Sequence, residues 1–184
     1  TTALALTYAV LLLATHDAAD RLRTELDEEL GDERPGFDDL PALEYTERVV
    51  TESLRLHPPA HLLIRRTTAD TEIGGYRIPE GTLVTLPQFY VHTDERWYDD
   101  PEAFRPERWT DEMETELPEY AYFPFGGGPR HCIGMRFAML ELRLVLALLA
   151  QAFEFELLSD ADPAISSGVT HRPKNPVRVR LHRR

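Results

Sequence analysis

Phe125-Gly126-Gly127-Gly128-Pro129-Arg130-His131-Cys132-Ile133-Gly134 runs straight into the strongest helical pattern of the chain, Gly134 to Phe153, rich in Leu, Ala, Met and Arg. Cys132 is the one cysteine, which excludes an internal disulfide framework and any multi-cysteine zinc or iron–sulfur site. A cysteine at a helix N-terminus meets the positive end of the helix dipole and unpaired backbone N–H groups. Both favour a thiolate, and Arg130 adds positive charge beside it. The glycines let backbone amides approach the sulfur with no side chain in the way. The loop therefore suits a cysteine held as an anionic ligand. Three other uses compete. A phosphate cradle lacks the Gly-Lys-Ser/Thr that should follow. A buried structural cysteine is the ordinary fate of a lone one. A cysteine nucleophile needs a histidine oriented on the sulfur, and only the adjacent His131 is marked.

Charge narrows the partners. The 20 basic residues face 32 acidic ones, for a net charge of −12. Residues 1–162 hold 14 arginines and all 32 acids, whereas 163–184 hold six basic residues and no acid. An acidic body repels nucleic acid and anionic lipid, so neither is a default partner. The basic tail, Arg172 to Arg184, reads as a charged final strand. Hydrophobic residues make up 42% of the chain, enough for a packed core, which excludes a disordered chain. The longest apolar stretch, Ala3 to Ala14, falls short of the roughly 20 residues of a membrane span. It also lacks the basic flank of a signal peptide. The expectation is a soluble, cytoplasmic chain, with any membrane anchor lying upstream. Thr1 to Ala14 is apolar almost all round, which predicts a helix buried on every side. Such a helix at the very start implies missing upstream structure, so the sequence reads as a fragment. Loss of that structure would expose Leu4, Leu6, Leu11 and Leu13 as an apolar patch.

Along the chain, Asp17 is a candidate N-cap for a helix to Leu30, stopped by Gly31. Val49, Val50, Leu54 and Leu56 return at helical spacing until Pro58-Pro59. Thr67 to Pro87 reads as short strands with a turn at Gly74-Gly75. Residues 88–124, broken by Pro101, Pro106, Pro118 and Pro124, read mostly as loop, with Asp111 to Glu119 a solvated acidic run. Residues 153–157 and 177–181 alternate strictly and read as two half-buried strands. His57 and His61 are four residues apart, but two prolines prevent the helix that would align them as metal ligands.

The Cys132 loop is similar to the haem-binding signature of the cytochrome P450 family, Phe-x-x-Gly-x-Arg-x-Cys-x-Gly, and matches every fixed position. Five such matches arise by chance in a chain of this length about once in a hundred thousand, which sets the structural-cysteine reading aside. Glu52-Ser53-Leu54-Arg55 resembles the family's Glu-x-x-Arg, and i,i+3 residues share a helix face. Pro106-Glu107-Arg108-Trp109 resembles the family's Pro-Glu-Arg-Phe element, with Trp in place of the usual aromatic. The resemblance implies a buried triad of Glu52, Arg55 and Arg108 bracing the Cys132 loop. Thr1-Thr2 resembles the end of the segment lying over the distal face of the haem. By that register Thr1 is the alcohol of the acid–alcohol pair that delivers protons to dioxygen; the preceding glycine and acid are absent from the chain. The resemblance further implies haem b, with Cys132 as axial thiolate and metal ligand and Gly134 completing the loop. It makes Arg65 and Arg130 the propionate partners, with Arg66 an alternative to Arg65 and His92 a further candidate that otherwise reads as solvated. Phe125 resembles the aromatic that packs beneath the haem and shields the sulfur, and otherwise reads as ordinary core. Ala60 to Leu63 and Val169-Thr170 match segments lining the substrate pocket.

The implied fold is mostly α with small β-sheets, the C-terminal portion of the cytochrome P450 fold. It divides into helices over 1–64, a β hairpin region over 65–87, loop and Cys loop over 88–134, the proximal helix over 135–153 and a β hairpin over 154–184. The implied function is a haem-thiolate monooxygenase inserting one oxygen atom from O₂ into a small organic substrate. No flavin, NAD or iron–sulfur fingerprint is present, so a separate electron donor of ferredoxin or flavoprotein type is expected. The alternative is a truncated, non-catalytic haem-binding remnant that lacks the distal pocket.

Overall fold

The computed structural model describes residues 1–161, 163–168 and 170–184. Among the described residues there are six α-helices, α1 (Thr2–Leu13), α2 (Ala18–Glu29), α3 (Glu44–Leu56), α4 (Gln88–His92), α5 (Asp111–Glu116) and α6 (Met135–Ala152), of which α1, α2, α3 and α6 carry the hydrophobic core. Eight strands form four two-stranded antiparallel sheets. These are β1 (Leu63–Arg66) with β4 (Leu83–Leu86), β2 (Thr71–Ile73) with β3 (Tyr76–Ile78), β5 (Phe153–Leu157) with β8 (Val179–Arg183), and β6 (Ile165–Ser167) with β7 (His171–Pro173).

α1 and α3 pack on each other and on α6, and α2 docks on the same two helices, α3 and α6. The reason lies in their faces. Leu22 and Leu26, one turn apart on α2, are fully buried, each contributing about 2 kcal/mol by removal from water. Val49, Val50 and Leu54 of α3 and Leu142, Leu146, Ala147 and Ala150 of α6 complete the cluster. α3 carries Glu44 and Glu47 in its first turn and Arg55 in its last, matching the dipole. It stops at His57 because Pro58 disfavours helical backbone in the residue before it.

Several expectations need correction. Leu11 and Leu13 are buried and Leu4 and Leu6 half-buried, because α3, α6 and β5 cover α1; the exposed leucine patch does not form. Asp17 precedes α2, yet its side chain makes no capping hydrogen bond. Gly31 does follow the helix in the left-handed region, φ 56°. β1 begins at Leu63, inside the segment assigned to helices. The 88–124 stretch is not simply loop: it holds α4, a 3₁₀ turn at Pro106–Arg108 and α5. The acidic run folds because Thr110 Oγ1 accepts from Met113 N at 3.2 Å and because acids in a first turn suit the dipole. β8 lies two residues beyond the stretch read as the final strand, a shift that keeps Val179 and Leu181 opposite Leu157 and Phe155. β6 and β7 are too short to show alternation. No single helix among the described residues is long and apolar enough to cross a membrane.

Candidate cysteine-loop site

The loop ahead of α6 is held by its own backbone. Phe125 O accepts from Cys132 N at 2.9 Å, and Phe123 O accepts from Gly126 N at 2.9 Å. Gly126 and Gly128 take φ of 74° and 64°, a region costly for any residue with a Cβ. Gly128–Arg130 forms a 3₁₀ turn, closed by His131 N to Gly128 O at 3.1 Å. The His131 ring turns back on the same carbonyl through Nδ1 at 3.0 Å, away from a role as a base on the sulfur. Gly127 has no room for a side chain, since a Cβ there would enter the Tyr120 ring. Cys132 is exposed. Around it Ile133 and Phe137 are also uncovered, at 102% and 69% exposure, an apolar surface next to a free sulfur.

Behind the loop sits the charged triad. Glu52 and Arg55 are fully buried, although i,i+3 pairs on helices are ordinarily solvated. Glu52 Oε2 accepts from Arg55 Nε at 2.8 Å and from Trp109 Nε1 at 2.9 Å. Its Oε1 accepts from Arg55 Nη2 at 2.8 Å, Arg108 Nε at 2.9 Å and Arg105 N at 3.0 Å. The guanidinium donors left over end on main-chain carbonyls. Arg55 Nη1 donates to His92 O and Pro101 O at 2.8 and 2.6 Å. Arg108 Nη1 donates to Asp99 O at 2.8 Å. Such complete pairing is what allows three charges to leave water. The Tyr98 ring lies 4.9 Å from the Arg55 guanidinium, and its hydroxyl donates to Ala121 O at 3.0 Å.

A route of hydrogen bonds joins this triad to the cysteine. Arg55 holds the His92 carbonyl; the His92 Nε2 accepts from Phe123 N at 2.9 Å; Phe123 O accepts from Gly126 N and from Gln88 Nε2. His92, a candidate propionate partner on the resemblance and otherwise read as solvated, is therefore a fully buried residue of the α4 end, and burial pushes its pKa down to about 3. Its Nδ1 is buried with no partner among the described residues. Two side chains in this network, Gln88 and Tyr98, escaped the sequence reading because they carried no motif. Trp109 was placed by its motif, but not the role of its indole N–H, which is the donor Glu52 uses.

The remaining candidates sit around the loop. Arg130 is exposed at the end of the 3₁₀ turn and Phe125 is half-buried against the helical core. Arg65 and Arg66 are both exposed on β1. A Cβ on Gly126 would lie 3.2 Å from Leu63 Cδ1, so Leu63 faces the cysteine loop. Side chains alternate along a strand, which puts Arg65 on that face and Arg66 on the other. Arg66 Nη1 indeed donates to Gly81 O at 2.6 Å. Thr1 is exposed ahead of α1, its carbonyl accepting from Leu4 N and Ala5 N at 3.0 and 3.1 Å. Its hydroxyl makes no capping bond. Ala60 and Leu63 are half-buried, as is Thr170; Val169 lies outside the described residues.

The exposed thiol, the glycine loop and the buried triad together are the marks of one family. The cytochrome P450 family model matches residues 1–179, and the chain belongs to that family. It is 38% identical to cytochrome P450 3A13 of Mus musculus, over 98% of this chain and 37% of that protein. It is 37% identical to cytochrome P450 3A6 of Oryctolagus cuniculus over the same shares, 98% and 37%. Cyclooctatin synthase of Streptomyces melanosporofaciens is 45% identical over 82% of this chain and 33% of its own length. The chain thus spans about a third of the length of these relatives.

Proposed function

We propose that the whole protein is a haem-thiolate monooxygenase and that these 184 residues hold the sulfur side of its haem b. The observation that carries the reading is the Cys132 sulfur, exposed at the start of the 18-residue helix α6 on a loop kept open by glycines. When bound, haem supplies the activation of O₂, with one oxygen atom going to an organic substrate and electrons arriving from a separate ferredoxin- or flavoprotein-type donor.

The chain's own residues then have distinct tasks. Cys132 Sγ ligates as thiolate. Arg65 and Arg130, exposed cations without an ion pair among the described residues, neutralise the propionates. The uncovered Ile133 and the half-buried Phe125 offer apolar contact, and Gly134 closes the loop ahead of α6. Glu52, Arg55 and Arg108 hold the loop through His92 and Phe123, so His92 serves as a positioning residue in this reading. The Thr1 hydroxyl holds a proton for transfer toward dioxygen.

The test uses the thiol itself. Cys132 in the haem-free chain reacts with a thiol reagent at the rate of an exposed cysteine, and one equivalent of haem abolishes that reaction. Labelling at an unchanged rate with haem bound contradicts the ligand assignment.

A further inference from the structure

Behind the Pro58-Pro59 corner lies a group of rings that the haem reading does not use. His171 of β7 is the one buried side chain of the β6–β7 hairpin among the described residues. Its amide donates to Pro59 O at 2.9 Å, the only backbone hydrogen bond from the hairpin to the rest of the fold among the described residues. The His171 ring lies 5.0 Å from that of His61 and meets the Phe89 ring edge-on at 5.3 Å. His57 stacks on Tyr8 of α1 at 4.3 Å. Among the described residues the Nδ1 atoms of His57, His61 and His171 are all buried without a hydrogen-bond partner, as is the Tyr8 hydroxyl.

We infer that His171 is a pH-sensitive latch that holds the β6–β7 hairpin on the Pro58-Pro59 corner while its ring is neutral and releases it on protonation.

The charges around the ring decide the direction. From the corner come His57 and His61, from α3 comes Arg55, from α1 the uncharged Tyr8, and from α4 the apolar Phe89. Every chargeable group here other than Tyr8 is cationic when protonated. Among the described residues no carboxylate hydrogen-bonds to any of the three histidines. Burial, then the neighbouring His61, lowers the pKa of His171; burial, then His171 and Arg55, lowers that of His57 to about 4. A histidine whose folded pKa lies below its unfolded value of about 6.5 favours the closed form above that pH and loses this as pH falls. A proton on His171 costs least once the ring reaches water. The hydrophobic core cluster holds no residue of the hairpin among the described residues, so opening leaves the helical core intact.

The experiment is amide hydrogen exchange on the 184-residue chain at pH 7 and pH 5, corrected for intrinsic rates. The latch predicts that the His171 amide, bonded to Pro59 O, loses protection between pH 7 and pH 5 by its own local opening, while amides of α3 and α6 fall only as far as global stability falls. His171→Phe, which keeps an aromatic ring without the proton, should remove the pH dependence. If that variant does not fold, the ¹⁵N titration of His171 in the wild-type chain serves, since the latch requires its midpoint to coincide with hairpin opening. Unchanged His171 amide protection at pH 5, or an equal fall in wild type and His171→Phe, overturns the inference.

Discussion

Glu52→Ala is the perturbation with the largest structural lever. The carboxylate is fully buried and accepts five hydrogen bonds, two from Arg55 and one each from Arg105 N, Arg108 and Trp109. Removing it leaves the buried Arg55 and Arg108 guanidiniums facing each other without an anion. Deleting one partner of a buried ionic group costs about 3–5 kcal/mol. In a chain of this size each kcal/mol moves the melting temperature by about 2–4 °C, so thermal unfolding followed by circular dichroism should shift down by about 10 °C. The exposed Arg77–Asp70 pair at 2.6 Å supplies the control, because a solvated ion pair adds little to stability and Arg77→Ala should leave the melting temperature essentially unchanged. The Gly126 and Cys132 amides should also exchange faster in Glu52→Ala, since the triad reaches them through His92 and Phe123. A Glu52→Ala chain that melts within a degree or two of wild type would refute the reasoning, for the triad would then be no more than a solvated contact.

The other predictions probe single atoms of the same network. Trp109→Phe keeps the ring but loses the N–H to Glu52, and should cost about 1.5–3 kcal/mol in denaturant unfolding; a cost near zero contradicts the bond. Gly127→Ala forces a methyl into the Tyr120 ring and should lower stability by about 1–3 kcal/mol. The double variant with Tyr120→Ala should recover most of that, and failure to recover would place the strain elsewhere. Finally, His92 and His57, held down to about 3 and 4 by burial, keep their full contribution above about pH 6.5 and lose it below. Protonating His92 also breaks its acceptor bond from Phe123 N. Stability at pH 5 should be lower than at pH 7 by about 2 kcal/mol for each such ring, and equal denaturant midpoints at the two pH values would contradict this.

Much of the site was legible because it is written in local spacing. Glu52 and Arg55 share a helix face by being three apart, and Gly126, Gly128 and Cys132 announce a loop whose backbone only glycine adopts easily. What escaped depends on tertiary contact. The burial of His92 follows from Arg55 reaching the α4 end and from Phe123 crossing it, neither of which has a local signal. Strands β6 and β7, three residues each, owe their place to His171 docking on Pro59. α5 was hidden by its own charge, since an acidic run reads as solvent-facing until Thr110 is seen to cap it. Arg65 was separated from Arg66 only when the close approach of Leu63 to Gly126 showed which face of β1 meets the cysteine loop.

The most direct test of the account is a reduced, CO-bound difference spectrum of the haem-loaded protein, wild type beside Cys132→Ala. Thiolate ligation predicts the long-wavelength Soret band characteristic of the family in the wild type and its loss in the variant. The same band in both, or only the shorter-wavelength band of a neutral ligand in the wild type, would contradict Cys132 as the anionic ligand.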